Sequence, residues 1–323
     1  METVHILTTG GTICNTKEGR ISANEVIRKV KIPDIKILPN FQITEILRTG
    51  SKNINPDNWL TIGKLISDLI KRKDTKGIII THGSNTLEET AYFLNLVITD
   101  KKPIILTGAQ RWDDELSPDG PRNLADSIRV CLNDEVYGKG VLVVINERIH
   151  AARDVRKTGR WLDGFTSGNI GILGEIDVDE HTNFAKVSFY RSPICKHTFL
   201  SDFEIAKIKE LPRVDIIYTY AGCDATLVKS ALDSGAKGLV VAAFPTGSVP
   251  QAMQDELDKA IKNGIPIIRC NRGLGGEPES DIEMGTQSIS GSNMSPQKAR
   301  ILLMVSLGCA FPVEKIRNIF KEY

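Results

Sequence analysis

The sequence has almost no charge imbalance: 41 lysines and arginines stand against 40 aspartates and glutamates, a formal net charge of +1. A surface that neutralises a phosphate backbone needs a clustered basic excess, so nucleic acid is excluded as a principal partner. The one dense basic run, Lys71-Arg72-Lys73, reads as the solvated end of a helix. No run of about 18 apolar residues occurs, so no membrane-spanning helix is expected, and no membrane partner is expected either. The opening Met1-Glu2-Thr3-Val4-His5-Ile6-Leu7 lacks the basic and long apolar regions of a secretory leader and reads as a β-strand, so a cytoplasmic location is expected. Cysteines are few and scattered: Cys14, Cys131, Cys195, Cys223, Cys270 and Cys309 form no C-x-x-C pair. Neither a disulfide framework nor a zinc site is expected; free thiols in a reducing compartment are, and no metal or cofactor is implied.

What is present is an ordinary globular composition, 41% hydrophobic and 25% charged over 323 residues, enough for two domains with cores of their own. Short β-branched runs alternate with helical patterns. Strands are expected at 4–8, 43–47, 77–81, 103–106 and 140–145, with helices at 56–72 and 87–97. In the first helix Trp59, Ile62, Leu65, Ile66 and Leu69 recur at helical spacing, and Pro56 sits at the start, where its missing N–H costs nothing. The alternation pauses near 190–211, which carries Pro193 and a charged run before Pro212. It resumes with strand 214–218, helix 225–234, strand 238–243, helix 251–263 and strand 265–269; helices at 296–307 and 313–323 close the chain. The expected fold is α/β, with two α/β domains: a larger N-terminal one (1–190), mostly a parallel sheet flanked by helices, a linker (191–212), and a smaller C-terminal one (213–323).

Four segments could carry chemistry. Thr8-Thr9-Gly10-Gly11-Thr12-Ile13 follows the first strand, and open α/β folds bind ligands beyond the carboxyl ends of their strands. Its glycines allow close backbone approach, and Thr9 and Thr12 offer hydroxyls; a plain Gly-Gly turn is the equally weighted alternative. It has neither dinucleotide-binding glycine spacing nor a phosphate-loop ending. Thr81-His82-Gly83-Ser84-Asn85-Thr86-Leu87-Glu88-Glu89-Thr90 joins an apolar strand to a helix. Ser84 or Asn85 could cap that helix, with Glu88 or Glu89 in its first turn, and the same position directs a hydroxyl and an amide above the sheet. Arg153-Asp154-Val155-Arg156-Lys157-Thr158 and Gly50-Ser51-Lys52-Asn53 read individually as a surface loop and a turn.

Taken together, and with Ser117-Pro118-Asp119-Gly120-Pro121-Arg122-Asn123-Leu124 and Asn293-Met294-Ser295-Pro296-Gln297-Lys298-Ala299-Arg300, these segments resemble the bacterial asparaginase and glutaminase family from Val4 to the C-terminus. The resemblance implies that Thr12 attacks an amide carbon to form an acyl-enzyme. It implies that Ser84 is the second catalytic hydroxyl, that Lys157 activates it, and that Ser51 binds the substrate's α-carboxylate. It further implies a homodimer or homotetramer whose sites are completed by a partner's C-terminal domain, near Ser248. A hydroxyl needs a base or cation to become nucleophilic, and backbone N–H groups at Gly11 or Asn85 are candidates to stabilise the oxyanion.

The sequence departs from the family where the substrate's α-substituents bind. The family typically has Asp where Asn85 stands and Gln where Lys52 stands, so the pocket is two charges more positive. No Tyr occurs between Cys14 and Val26, where the family often places one, and Ser248 stands where Asn is common. Glu279 or Glu283 is a candidate compensating carboxylate. Losing the partner of a buried charge typically costs about 3–5 kcal/mol, and Lys52 would repel an ammonium. The expectation is therefore an amidohydrolase for a small carboxamide other than plain L-asparagine. An ordinary L-asparaginase with a drifted pocket and a non-catalytic binding member of the fold are the alternatives. A tRNA-dependent amidotransferase subunit fits less well, given the neutral charge.

Overall fold

The structure is a computed structural model that describes residues 2–22, 25, 28–30, 32–35, 38–179, 182, 184–273, 276–278 and 287–323. The chain forms two compact units, Met1–Ile205 and Ala206–Tyr323.

The first unit is built on an eight-stranded sheet. Its strands are β1 (Thr3–Thr8), β2 (Asn40–Glu45), β3 (Thr75–Thr81), β4 (Ile104–Thr107), β5 (Val141–Ile145), β6 (Arg148–Ala151), β7 (Gly174–Val178) and β8 (Ala185–Phe189), in the spatial order β8-β7-β6-β5-β4-β3-β1-β2. The five strands from β2 to β5 run parallel, and β6, β7 and β8 add an antiparallel flank. β1, β4 and β5 are buried at every residue, as a sheet covered on both faces requires. Helices α1 (Pro56–Ile70), α2 (Leu87–Val97) and α3 (Gly120–Leu132) provide the cover. Asn55 caps α1 reciprocally with Asn58, which satisfies donors that the helix start leaves open.

Three expectations needed correction. The second strand runs Asn40–Glu45 and not 43–47, because pairing with β1 sets its register from Thr3↔Asn40 to Thr8↔Glu45. The antiparallel flank was not expected. Its first turn uses Asn146 and Glu147, both at positive φ (49° and 62°), without the glycine that normally marks a two-residue hairpin. Helix α3 was also unread; its Gly-Pro start hides a helix in which Leu124, Ile128 and Cys131 lie in the core.

The second unit carries a parallel sheet of β9 (Val214–Tyr218), β10 (Gly238–Ala243), β11 (Ile267–Asn271) and β12 (Ile289–Ser290), paired in that order. Helices α4 (Thr226–Asp233), α5 (Gln251–Lys262), α6 (Pro296–Gly308) and α7 (Val313–Glu322) complete it. Its core gathers Val228, Leu239, Val241, Met253 and Leu257.

Candidate active site

The site lies at the carboxyl ends of β1, β2 and β3, and glycine brings the turns together. Gly10 and Gly11 have φ of 97° and 95°, a region that L side chains rarely adopt. A Cβ on Gly11 would lie 2.4 Å from Gly83 Cα, and one on Gly83 would lie 2.7 Å from Ser51 Oγ. The turns after the three strands therefore touch backbone to backbone. Hydrogen bonds fix them: Thr9 N–H and Thr9 Oγ1–H both donate to Thr81 O, at 3.1 Å each, and Thr49 N–H donates to Thr9 O at 3.1 Å. Thr12 opens a single helical turn, Thr12–Cys14, and is half-buried. Ile13 packs into the main core behind it.

Ser84 is buried, and Lys157 Nζ donates a hydrogen bond to its Oγ at 2.6 Å. Lys157 comes from a short ladder, Arg156–Lys157 with Phe165–Thr166, reached through β6 and not directly from β5. Its backbone N–H donates to Glu88 Oε2 at 2.5 Å, tying the ladder to the first turn of α2. Burial holds the Lys157 ammonium below the ordinary lysine range, and the Glu88 carboxylate opposes that shift. Sequence reading saw Glu88 only as a helix-start acid; its second role depends on a residue 69 positions away.

Neither Ser84 nor Asn85 caps α2. Thr86 occupies the cap position without bonding the helix, and its hydroxyl donates instead to Ser51 O at 2.9 Å. Ser84 is left to pair with Lys157, and Thr86 joins two of the site's turns.

His82 supports the same turn from within. Trp59 Nε1–H donates to Thr90 Oγ1 at 2.9 Å, and Thr90 Oγ1 lies 2.9 Å from His82 Nε2. Indole is only a donor, so the threonine hydroxyl donates on to Nε2, and Nδ1–H donates to Gly83 O at 2.8 Å. Every ring nitrogen is thus satisfied in the neutral form. Burial pushes the imidazole down to about 4.

The third motif is architectural. Asp119 accepts from the backbone N–H groups of Gln110 and Arg111 and from Asn123 Nδ2. Asn123 Nδ2 also donates to Gly108 O at 3.0 Å, and Asn123 Oδ1 accepts from Asn146 N–H at 2.9 Å. One buried amide joins the turn after β4, the start of α3 and the β5–β6 hairpin.

The structure thus brings Gly11, Thr12, Ser51, Ser84 and Lys157 to one end of the sheet. Lys52 and Asn85 are exposed neighbours of Ser51 and Ser84. Ser248 lies in the second unit, in a turn where Thr246 Oγ1 donates to its Oγ at 3.0 Å. Glu279 and Glu283 fall outside the described residues. No group of three or more metal-ligating side chains occurs among the described residues.

Comparison with known proteins identifies the family. Residues 3–189 match the family model described as "Asparaginase, N-terminal", and residues 213–320 match "Glutaminase/Asparaginase C-terminal domain". The chain belongs to the asparaginase/glutaminase family. Within it, the chain is 37% identical to "L-asparaginase 2" of Bacillus subtilis over 99% of this chain and 86% of that protein. It is 33% identical to "L-asparaginase 2" of Escherichia coli over 99% and 93% of the two chains, and 35% identical to the "Probable L-asparaginase periplasmic" of Haemophilus influenzae. Among solved structures, the "Probable Cytoplasmic L-asparaginase from Campylobacter jejuni" superposes with a TM-score of 0.91 at 37% identity, covering 100% of both chains. The two-domain α/β fold is therefore the family's own.

Proposed function

We propose that this chain hydrolyses a small-molecule carboxamide through an acyl-Thr12 intermediate, and that its preferred substrate is not plain L-asparagine. Thr12 Oγ1 bonds to the amide carbon and the C–N bond breaks. Ammonia or an amine leaves with the threonine's proton, and water then cleaves the ester. The observation that carries the reading is the 2.6 Å bond from Lys157 Nζ to the buried Ser84 Oγ. A desolvated lysine beside a hydroxyl is a proton acceptor and donor in the crevice where the amide must sit.

The substrate reading rests on Asn85 and Lys52. An amino-acid amide presents an ammonium, and this pocket offers it a neutral amide and a cation. The acyl group that fits best lacks that amine or carries it acylated. A specific observation favours the second reading, an ordinary L-asparaginase: Lys52 and Asn85 are exposed, where water screens the lysine's charge, and the relatives above are named for L-asparagine.

Sharing of the site between subunits, in a homodimer or homotetramer with Ser248 supplied by a partner, belongs to the same proposal. So does a cytoplasmic location, which the six free thiols and the Campylobacter relative's description support.

The test compares kcat/KM on L-asparagine and on succinamate for the natural chain and for Lys52→Gln/Asn85→Asp, with Thr12→Ala as control. Succinamate should be preferred by the natural chain and L-asparagine by the double variant. Thr12→Ala should lose turnover by several orders of magnitude. Strong preference for L-asparagine in the natural chain selects the second reading, and near-normal turnover in Thr12→Ala removes the nucleophile assignment.

A further inference from the structure

A groove of about 610 Å³ opens beside the site in the first unit, lined by Gln110, Arg111, Glu115, Gly159, Arg160 and Trp161. Release of ammonia needs no such space. Sheet order says which part of a substrate the groove faces. The turns after β2 and β3 flank Thr12 with Ser51 on one side and Ser84 on the other; β4 lies beyond β3, and the groove's first wall follows β4. Its second wall begins two residues after Lys157. A substrate anchored at Ser51, with its carbonyl between Thr12 and Ser84, directs the nitrogen side of its amide toward this groove.

The walls are held in place. Asp119 fixes the backbone at Gln110 and Arg111, and Arg111 Nη1 donates to Ser117 O at 2.9 Å. On the other side the Trp161 indole occupies the space where a side chain on Gly159 would stand, 2.3 Å from the position of such a Cβ. Thr158 N–H to Gly164 O at 2.7 Å and Gly164 N–H to Trp161 O at 2.9 Å close the turn that presents it. Trp161 is 60% exposed, so the free face of its ring is a platform for a flat group. Arg111 and Arg160 outweigh Glu115 and leave the groove with one net positive charge. Arg160 is exposed at the tip and makes no ion pair among the described residues, and its guanidinium is matched to a carboxylate.

We infer that this groove is a leaving-group subsite for amides whose nitrogen carries a planar substituent ending in a carboxylate, stacked on Trp161 and paired with Arg160. The inference rests on the amidohydrolase reading above for its direction, but the ligand it describes is testable without turnover. Two N-aryl amides differing only in the carboxylate, N-(4-carboxyphenyl)succinamate and N-phenylsuccinamate, are compared by kcat/KM, together with the corresponding L-aspartate β-anilides. The same full-length protein is titrated calorimetrically with 4-aminobenzoate and with aniline. The carboxylated member of each pair should be favoured up to about fivefold, the worth of one solvent-exposed charge pair. Arg160→Glu should abolish or reverse that ratio, and Trp161→Ala should weaken both aromatic ligands. Selective binding of 4-aminobenzoate that Arg160→Glu removes supports the subsite even if no amide is hydrolysed, and then only the amidohydrolase reading fails. Ratios near one in the natural chain, or unaltered in Arg160→Glu, overturn the subsite, whatever the rate on primary amides.

Discussion

At Lys157 two effects oppose each other. Burial favours the neutral amine, and the Glu88 carboxylate favours the ammonium; burial prevails. The neutral form is therefore reached at lower pH than for a free lysine, and a rate that depends on it rises with pH through that lowered value. Ser84 and Lys157 share one hydrogen bond, so they should act as a unit. Ser84→Ala and Lys157→Met should each lower kcat by roughly 10²–10⁴-fold, and the double variant should be little worse than either. Simple additivity in the cycle, or a rise of rate with pH that is unchanged in Lys157→Met, contradicts a shared proton path. His82 gives a stability prediction of definite sign. Its folded value is about 4 against 6.5 for a free imidazole. The unfolded chain therefore binds the proton first. Stability conferred by the neutral ring is complete above 6.5 and is lost as pH falls toward 4, on the order of 3 kcal/mol. His5 and His197 are shifted the same way by burial. Urea titrations from pH 7 to 4 should show this slope in the natural chain and a flatter one in His82→Gln; identical slopes would exclude His82 as the cause.

Among the elements, polar side chains that join segments matter more than those that end them. Asn55 caps α1 at an exposed position, and Asn55→Ala should cost about 1 kcal/mol. Asn123 sits within α3, 2% exposed, and serves Gly108 O, Asn146 N–H and Asp119 together. Its loss strands the buried Gly108 O and the partly buried Asn146 N–H, so Asn123→Ala should cost about 3 kcal/mol. Denaturant midpoints of the two variants check the ranking; an Asn123→Ala cost no larger than the cap's would mean that water replaces the amide. The glycines show the same logic in the backbone. Gly11 is required because its φ and its contact with Gly83 both exclude a side chain, which explains why a Gly-Gly pair follows β1 and no β-former does.

For the whole molecule the proposed shared site makes one demand. Ser248 belongs to the second unit, on a loop anchored by the buried Arg269, whose guanidinium donates to Gly247 O at 2.8 Å. If a partner subunit supplies this loop, activity per chain should fall on dilution as the assembly dissociates, and sedimentation at assay concentration should show at least a dimer. An active monomer would restrict the site to one chain.

The parts of this protein that its sequence determined by itself are those with local physical signatures. Strands β1, β3, β9 and β10 and helices α1 and α2 are contiguous apolar or periodic runs bounded by turn residues, and the Thr-Gly-Gly-Thr and His-Gly-Ser turns announce a site because few other segments combine glycine with hydroxyls at a strand end. Tertiary structure decided the rest. The β5–β6 hairpin has no glycine to mark it, and α3 begins inside a Gly-Pro turn, so neither is legible without its partners. Whether Ser84 caps a helix or meets a lysine depends on Lys157, 73 residues away, and on Thr86 turning toward Ser51. The exposure of Lys52 and Asn85, which sets how far one cation and one neutral amide select a substrate, comes from three-dimensional packing around them. Charge is written in the sequence, but the solvent around each charge is a property of the folded chain.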